Sequence, residues 1–106
     1  MQDDLVFSES GNTLTAFIAC EVDHHTARRI REAIDERLFL CKPAELILDF
    51  LGVRFMDSSG IGLILGRSET AASIGANLVI RGASPTLMKI LRLSGVDKVK
   101  NIAIIR

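Results

Sequence analysis

The sequence predicts a single small α/β domain: a mixed, mostly parallel sheet in β-β-α-β-α-β-α-β order, with helices packed on it. Three observations predict it. Segments with the two-residue apolar period of strands alternate with segments of helical period, and such alternation implies βαβ crossovers, which are nearly always right-handed. The run ELILDFL (45–51) is apolar almost throughout, as a central parallel strand buried on both faces should be. The chain has 106 residues, so residues 1–106 suit one domain and are too few for two.

LVFSES (5–10) and TLTAFIACEV (13–22) are β-rich runs joined by Gly11-Asn12, a hairpin signal. HHTARRIREAIDERLFLC (24–41) follows. Its residues Ala27, Ile30, Ile34, Leu38 and Cys41 fall at steps of three and four and mark one helix face; Arg28, Arg31, Glu32 and Asp35 take the other. Lys42-Pro43 ends this helix, because the residue before a proline is pushed out of the helical region. ELILDFL is the third strand. After MDSSGIG (56–62), the segment GLILGRSETAASIG (62–75) predicts a second helix, with Gly75 placed to stop it. NLVIRG (77–82) is the fourth strand. Ser84-Pro85 opens a third helix, with serine as N-cap and proline in the first turn. Leu87, Ile90 and Leu91 give that helix its apolar face, and Gly95 is its stop. NIAIIR (101–106) is the last strand. There is no internal repeat, low-complexity segment or linker.

Apolar residues make up 48% of the chain, with no Trp or Tyr, so an aliphatic core forms without metals or disulfides. Thirteen basic residues balance thirteen acidic ones, which argues against an electrostatic nucleic-acid binder. Cys20 and Cys41 have no metal-like spacing and are expected to be reduced thiols in or near the core. The acidic N-terminus, MQDDLVFSES, is not a signal peptide, and no run approaches the ~20 apolar residues of a membrane span. A soluble, cytoplasmic protein is expected.

The loops leaving the C-terminal ends of parallel strands gather along one sheet edge, where ligands and partners bind. Three such loops are EVDHHT (21–26), MDSSGIG and RGASP (81–85). Each supplies a capping residue: Asp23, then Asp57 or Ser58, then Ser84, each cap worth ~1 kcal/mol. MDSSGIG carries more polar groups than a cap needs. Gly60 and Gly62 also strip side chains from the first helical turn, at ~1 kcal/mol each relative to Ala. The result is an open helix N-terminus that something approaches closely.

Several chemistries compete for it. Gly60, Gly62 and Gly66 give G-x-G-x-x-x-G, one residue off the dinucleotide fingerprint, and Arg81 and Gly82 stand where its acid should be. A hydrolase triad can be drawn from Ser58, His24 or His25, and Asp23 or Asp57, but the G-x-S-x-G elbow is absent. His24 and His25 are adjacent and are expected to point in different directions, which disfavours a shared metal. No cofactor is called for. Modification fits best. A phosphate on a serine at a helix N-terminus faces backbone N–H groups and the positive end of the dipole. A partner docked beside it must desolvate ~1.5–2 extra negative charges.

LILDFLGVRFMDSSGIGLILGR, together with EVDHHT and RGASPTLMKILRLSGV, resembles the STAS-domain anti-sigma factor antagonists, most closely the sporulation type. The resemblance runs through nearly the whole chain, and FMDSSGIG with DHHT is its most specific part. It implies a non-enzymatic STAS domain. The unphosphorylated form would bind an anti-sigma factor, itself a serine protein kinase, and free the sigma factor. The kinase would phosphorylate the serine directly after the aspartate, Ser58 here, and a PP2C-type serine phosphatase would reverse this. By the same resemblance Asp23, His24, His25 and Thr26 lie beside the phosphosite on a docking surface shared with Asp57, Ser58, Ser59, Gly60 and Gly62. Asp57 orients or caps the serine, and the two glycines admit the partner. The family match, not the spacing, chooses Ser58 over Ser59; were Ser58 the cap, Ser59 would lie in the first turn. Neither nucleic acid nor membrane is among the implied partners. A second reading keeps the fold and changes the partner: a STAS adaptor in a stress-signalling scaffold or a transport complex. Two departures stand out. Cys20 replaces a usual glycine, so the strand exit is expected to differ slightly. The sequence stops at Arg106, where relatives commonly carry a further helix, so one sheet face or edge is expected to be more exposed.

Overall fold

The computed structural model describes residues 4–105. Residues 1–3 of the acidic N-terminus and residue 106 of the last expected strand lie outside the described residues. The elements are β1 (Leu5–Ser10), β2 (Thr13–Ile18), α1 (Ala27–Cys41), β3 (Glu45–Asp49), α2 (Ser58–Ser73), β4 (Asn77–Arg81), α3 (Pro85–Ser94), a 3-10 turn (Val96–Lys98) and β5 (Ile102–Ile105). The expected order holds. One sheet runs β1-β2-β3-β4-β5, with β1 antiparallel to β2 and the other pairs parallel.

The hairpin is tight because Gly11 adopts φ 60°, as the first position of a II′-type turn requires, and Ser10 then faces Thr13. Register aligns Leu14, Leu46, Leu78 and Ile102 in one row and Ala16, Leu48, Ile80 and Ile104 in another. Side chains alternate along strands, so both rows share a face. There they meet Ile30, Ile34 and Leu38 of α1, Leu63 and Ile64 of α2, and Leu87 and Leu91 of α3 in one core. Each fully buried aliphatic side chain contributes about 1.5–3 kcal/mol. The opposite face carries the exposed residues Val6, Phe17 and Ile105. At its C-terminal edge, on the last residues of β3 and β4, Arg81 Nε donates to Asp49 Oδ2 at 2.9 Å, with the guanidinium 5.7 Å from the Phe17 ring centroid.

Several boundaries differ from the sequence expectation, four of them at the rim. β2 stops at Ile18 rather than Val22, where the chain turns out of the sheet and Ala19 donates to the Asp4 carbonyl at 2.8 Å. α1 starts at Ala27 rather than His24, because Asp23 closes a separate turn ahead of it. Before Pro43, Lys42 leaves the helix in the left-handed region (φ 46°, ψ 58°), and its N–H reaches Leu38 O at 2.9 Å. α2 begins at Ser58 and takes in all of SSGI. β3 ends at Asp49, whose Oδ1 accepts the Leu51 N–H at 2.9 Å and bends the chain away. Leu51 is therefore 82% exposed; the apolar run ELILDFL is buried only in part.

Arg29 of α1 binds Asp4 with both nitrogens, at 3.2 and 2.9 Å, and ties the helix to the start of β1. This guanidinium holds the Asp4 carboxyl below the usual carboxylate range, against the upward pull of burial. A lowered folded-state pKa contributes stability above the unfolded value, and that stability disappears as pH falls through the folded one. The half-exposed pair is worth no more than about 1 kcal/mol. In urea unfolding, Asp4→Asn should be less stable than wild type at pH 7, and the difference should close as the pH drops below about 4.

Candidate functional site

Two of the three rim loops are sewn together by a single parallel bridge between Val22 and Met56. Val22 N–H donates to Phe55 O at 3.0 Å, and Asp57 N–H donates to Val22 O at 3.1 Å. Both bridge residues are buried. Gly60 seals the joint. A Cβ there would run into the Met56 side chain and lie 3.3 Å from Val22 Cγ1. This corrects the expectation that Gly60 admits a partner: it is buried and serves internal packing. Gly62 is different, with open space where its Cβ would stand.

The DHHT segment forms a turn closed from within. Asp23 Oδ1 accepts the N–H groups of His25 at 2.8 Å and Thr26 at 3.2 Å. Thr26 Oγ1 donates to Glu21 O at 2.7 Å and accepts the Asp23 N–H at 3.1 Å. Burial raises the Asp23 carboxyl, but the backbone N–H groups of His25 and Thr26 and the two imidazoles together hold it below the usual range. His24 and His25 do not diverge as expected; their rings stack with centroids 3.9 Å apart at 39°. Among the described residues no group of three or more His, Cys, Asp or Glu is placed to hold a metal ion.

Asp57 is the N-cap of α2, with extended backbone (φ −103°, ψ −167°), and its Oδ1 accepts the Ser59 N–H at 2.7 Å. Ser58 is therefore the first helical residue rather than the cap, and Ser59 the second. Ser58 is exposed, and among the described residues its hydroxyl has no hydrogen-bond partner. Among the described residues no base contacts it, so they do not form the nucleophile–base contact of a serine hydrolase. Ser59 is half-buried against the groove between α1 and α2. At the third loop Ser84 accepts the Leu87 N–H at 3.2 Å and caps α3, with Pro85 in the first turn.

Sequence reasoning missed two residues here. Phe50, Val53 and Met56 are buried at steps of three, which turns Leu51 and Phe55 outward, 82% and 50% exposed. Two large apolar side chains thus stand on the loop that delivers Ser58. That three-residue step was the available signal; the continuous apolar run hid it.

The STAS domain family matches residues 5–103. The chain belongs to the STAS family. This STAS domain is 36% identical over 76 residues to an anti-sigma F factor antagonist of Lysinibacillus sphaericus, a match covering 72% of this chain and 65% of that protein. The matched stretch is thus a little under two thirds of that relative's length. An anti-sigma F factor antagonist of Paenibacillus polymyxa is 33% identical over 82 residues, covering 77% and 70% of the two chains. The anti-sigma factor antagonist SpoIIAA is also similar, in two solved forms. Its unphosphorylated form superposes with a TM-score of 0.74 at 25% identity over 96% of this chain and 87% of that one. The phosphorylated Bacillus form gives 0.72 at 27% identity over 96% and 91%.

The two glycines of this STAS domain separate experimentally. Gly60→Ala should lower the urea-unfolding free energy by about 1–2 kcal/mol, since overpacking outweighs the helix-propensity gain. Gly62→Ala should be neutral or stabilising by up to about 1 kcal/mol.

Proposed function

We propose that this STAS domain is an anti-sigma factor antagonist switched by phosphorylation at Ser58. The observation that carries this reading is Ser58 itself: an exposed, unbonded hydroxyl at the first position of α2, directly after the capping Asp57. The names of the relatives, and the likeness to SpoIIAA in both phosphorylation states, support it.

In the unphosphorylated form, the rim docks an anti-sigma factor that is a serine protein kinase, and the sigma factor is freed. Leu51 and Phe55 offer exposed apolar contact on the loop that leads to the serine, and Gly62 leaves the helix surface low. The kinase brings the nucleotide. Ser58 Oγ attacks the γ-phosphorus of ATP, the bond to ADP breaks, and the serine proton leaves with the kinase's base. The phosphoserine carries about −1.5 to −2 charges and gains roughly 0.3–1 kcal/mol from the helix N-terminus. Asp57 already stands there, so the added charge faces a like charge as well. The domain bears this because the site is open to water. A docked kinase excludes that water, and its complex with the phosphorylated form weakens. A PP2C-type phosphatase then hydrolyses the ester and restores the antagonist.

In this reading the chain performs no catalysis of its own, needs no cofactor and acts in the cytoplasm. Its formal net charge of zero gives no basic excess to hold nucleic acid. Among the described residues no helix is long and apolar enough to cross a membrane.

Incubation with the kinase and ATP should add one phosphate, mapped by peptide mass spectrometry to Ser58 and absent from Ser58→Ala. Phosphate on Ser59 contradicts the assignment. Ser58→Asp should weaken kinase binding by at least about tenfold; unchanged affinity rules out charge exclusion.

A further inference from the structure

A groove of about 410 Å³ runs between α1 and α2, away from Ser58. Its walls carry His24, Arg28 and Arg31 from the α1 side and Gly62, Gly66 and Arg67 from α2, and among the described residues no acidic side chain lines it. Ser59 stands at one end, so the groove continues the rim on which Ser58 sits. From Ser59 to Arg67 it follows two turns of helix, a length of about 12 Å at 1.5 Å per residue. We propose that this groove is the docking trough for an acidic segment of the partner protein. The proposal rests on the antagonist reading and extends its docking surface from the serine loop down the α1–α2 seam.

Two independent features support it. The first is shape. Gly62 and Gly66 lie one turn apart, and a Cβ at either would meet nothing within 4 Å. Each glycine costs about 1 kcal/mol relative to alanine inside a helix. Internal packing does not require them, in contrast to Gly60; what they leave is a low floor for a second chain.

The second feature is charge. Arg67 is buried to 6% exposure, and its Nε lies 2.8 Å from Asp35 Oδ1. That contact lies off the N–H direction and makes no aligned hydrogen bond. Burial draws the Arg67 guanidinium below its ordinary value, Asp35 offsets this in part, and the neighbouring charge of Arg31 adds to the lowering. Glu32 is shared by Arg28 and Arg31, at 3.2 and 4.0 Å, with all three side chains largely open to solvent. Such exposed pairs are weak and exchange readily for a carboxylate from outside. The groove is therefore under-neutralised. An acidic segment laid in it brings carboxylates to Arg28 and Arg31, which share Glu32, and bidentate carboxylate contacts suit that side chain.

The test measures affinity of the intact chain for the kinase that phosphorylates Ser58, by fluorescence anisotropy. Variants are Arg31→Glu, Gly66→Leu and, as an exposed control on α3, Lys89→Glu. Thermal melts confirm folding, and Ser58 phosphorylation of wild type checks the underlying reading. Both groove variants should bind at least about tenfold more weakly, with Lys89→Glu within about twofold of wild type. Wild-type affinity in both groove variants overturns the proposal. So does wild-type pyrophosphate binding that the groove variants lose while keeping the kinase, because the groove then serves a small anion. A wild-type chain that no kinase binds or phosphorylates defeats the antagonist reading, and this inference falls with it.

Discussion

The bridge between Val22 and Met56 sets the position of everything on the rim. β2 ends at Ile18 and β3 at Asp49, so neither strand alone determines where its following loop goes. Two backbone hydrogen bonds, from Val22 to Phe55 and from Asp57 to Val22, join the loops again beyond the sheet. Each contributes only about 0.5–1.5 kcal/mol net, but burying Met56 adds roughly 1.5–3. The absence of a side chain at Gly60 lets that methionine seat under the helix. From this joint follow the entry angle of α2, the Asp57 cap and the outward placement of Ser58. The Asp23 turn is brought alongside by the same pairing.

The rim divides its polar groups into those already committed and those left open. The carboxylates of Asp23 and Asp57 are spent on backbone N–H groups inside their own turns. Among the described residues the Ser58 hydroxyl has no hydrogen-bond partner, and the loop leading to it carries the exposed apolar residues Leu51 and Phe55. Between α1 and α2 the groove presents arginines. In the proposed switch a partner meets apolar contact and an unmodified serine at one end, and positive charge at the other. Phosphorylation would change only the first. A device of this kind needs no rearrangement of the core, because the added charge acts where the two surfaces exclude water.

Much of this was legible in the sequence, and the failures have physical causes. Element order followed from alternating apolar periods, and Gly11-Asn12, Ser84-Pro85 and Gly95 marked turns and caps correctly. The sequence pattern carries β2 on to Val22, since an isolated bridge has the same local composition as a strand and differs only in its partner. The same pattern buries Leu51, because an apolar run does not show where the chain leaves the sheet; the Asp49 side chain decides that. Gly60 and Gly62 looked alike, and only the tertiary position of Met56 separates them. Adjacent side chains on a strand or helix diverge, but His24 and His25 lie in a turn and stack. The arginine groove was invisible because its walls come from helices far apart in the chain.

The most direct test of a local, rigid switch is a comparison of ¹⁵N–¹H spectra of the chain before and after phosphorylation at Ser58. If charge at a fixed rim is the mechanism, shift changes will cluster at residues 21–26 and 51–63, with the amides of β3, β4 and the C-terminal half of α1 unmoved. Large shifts spread through those strands and that helix would mean that the phosphate refolds the domain, and would contradict it.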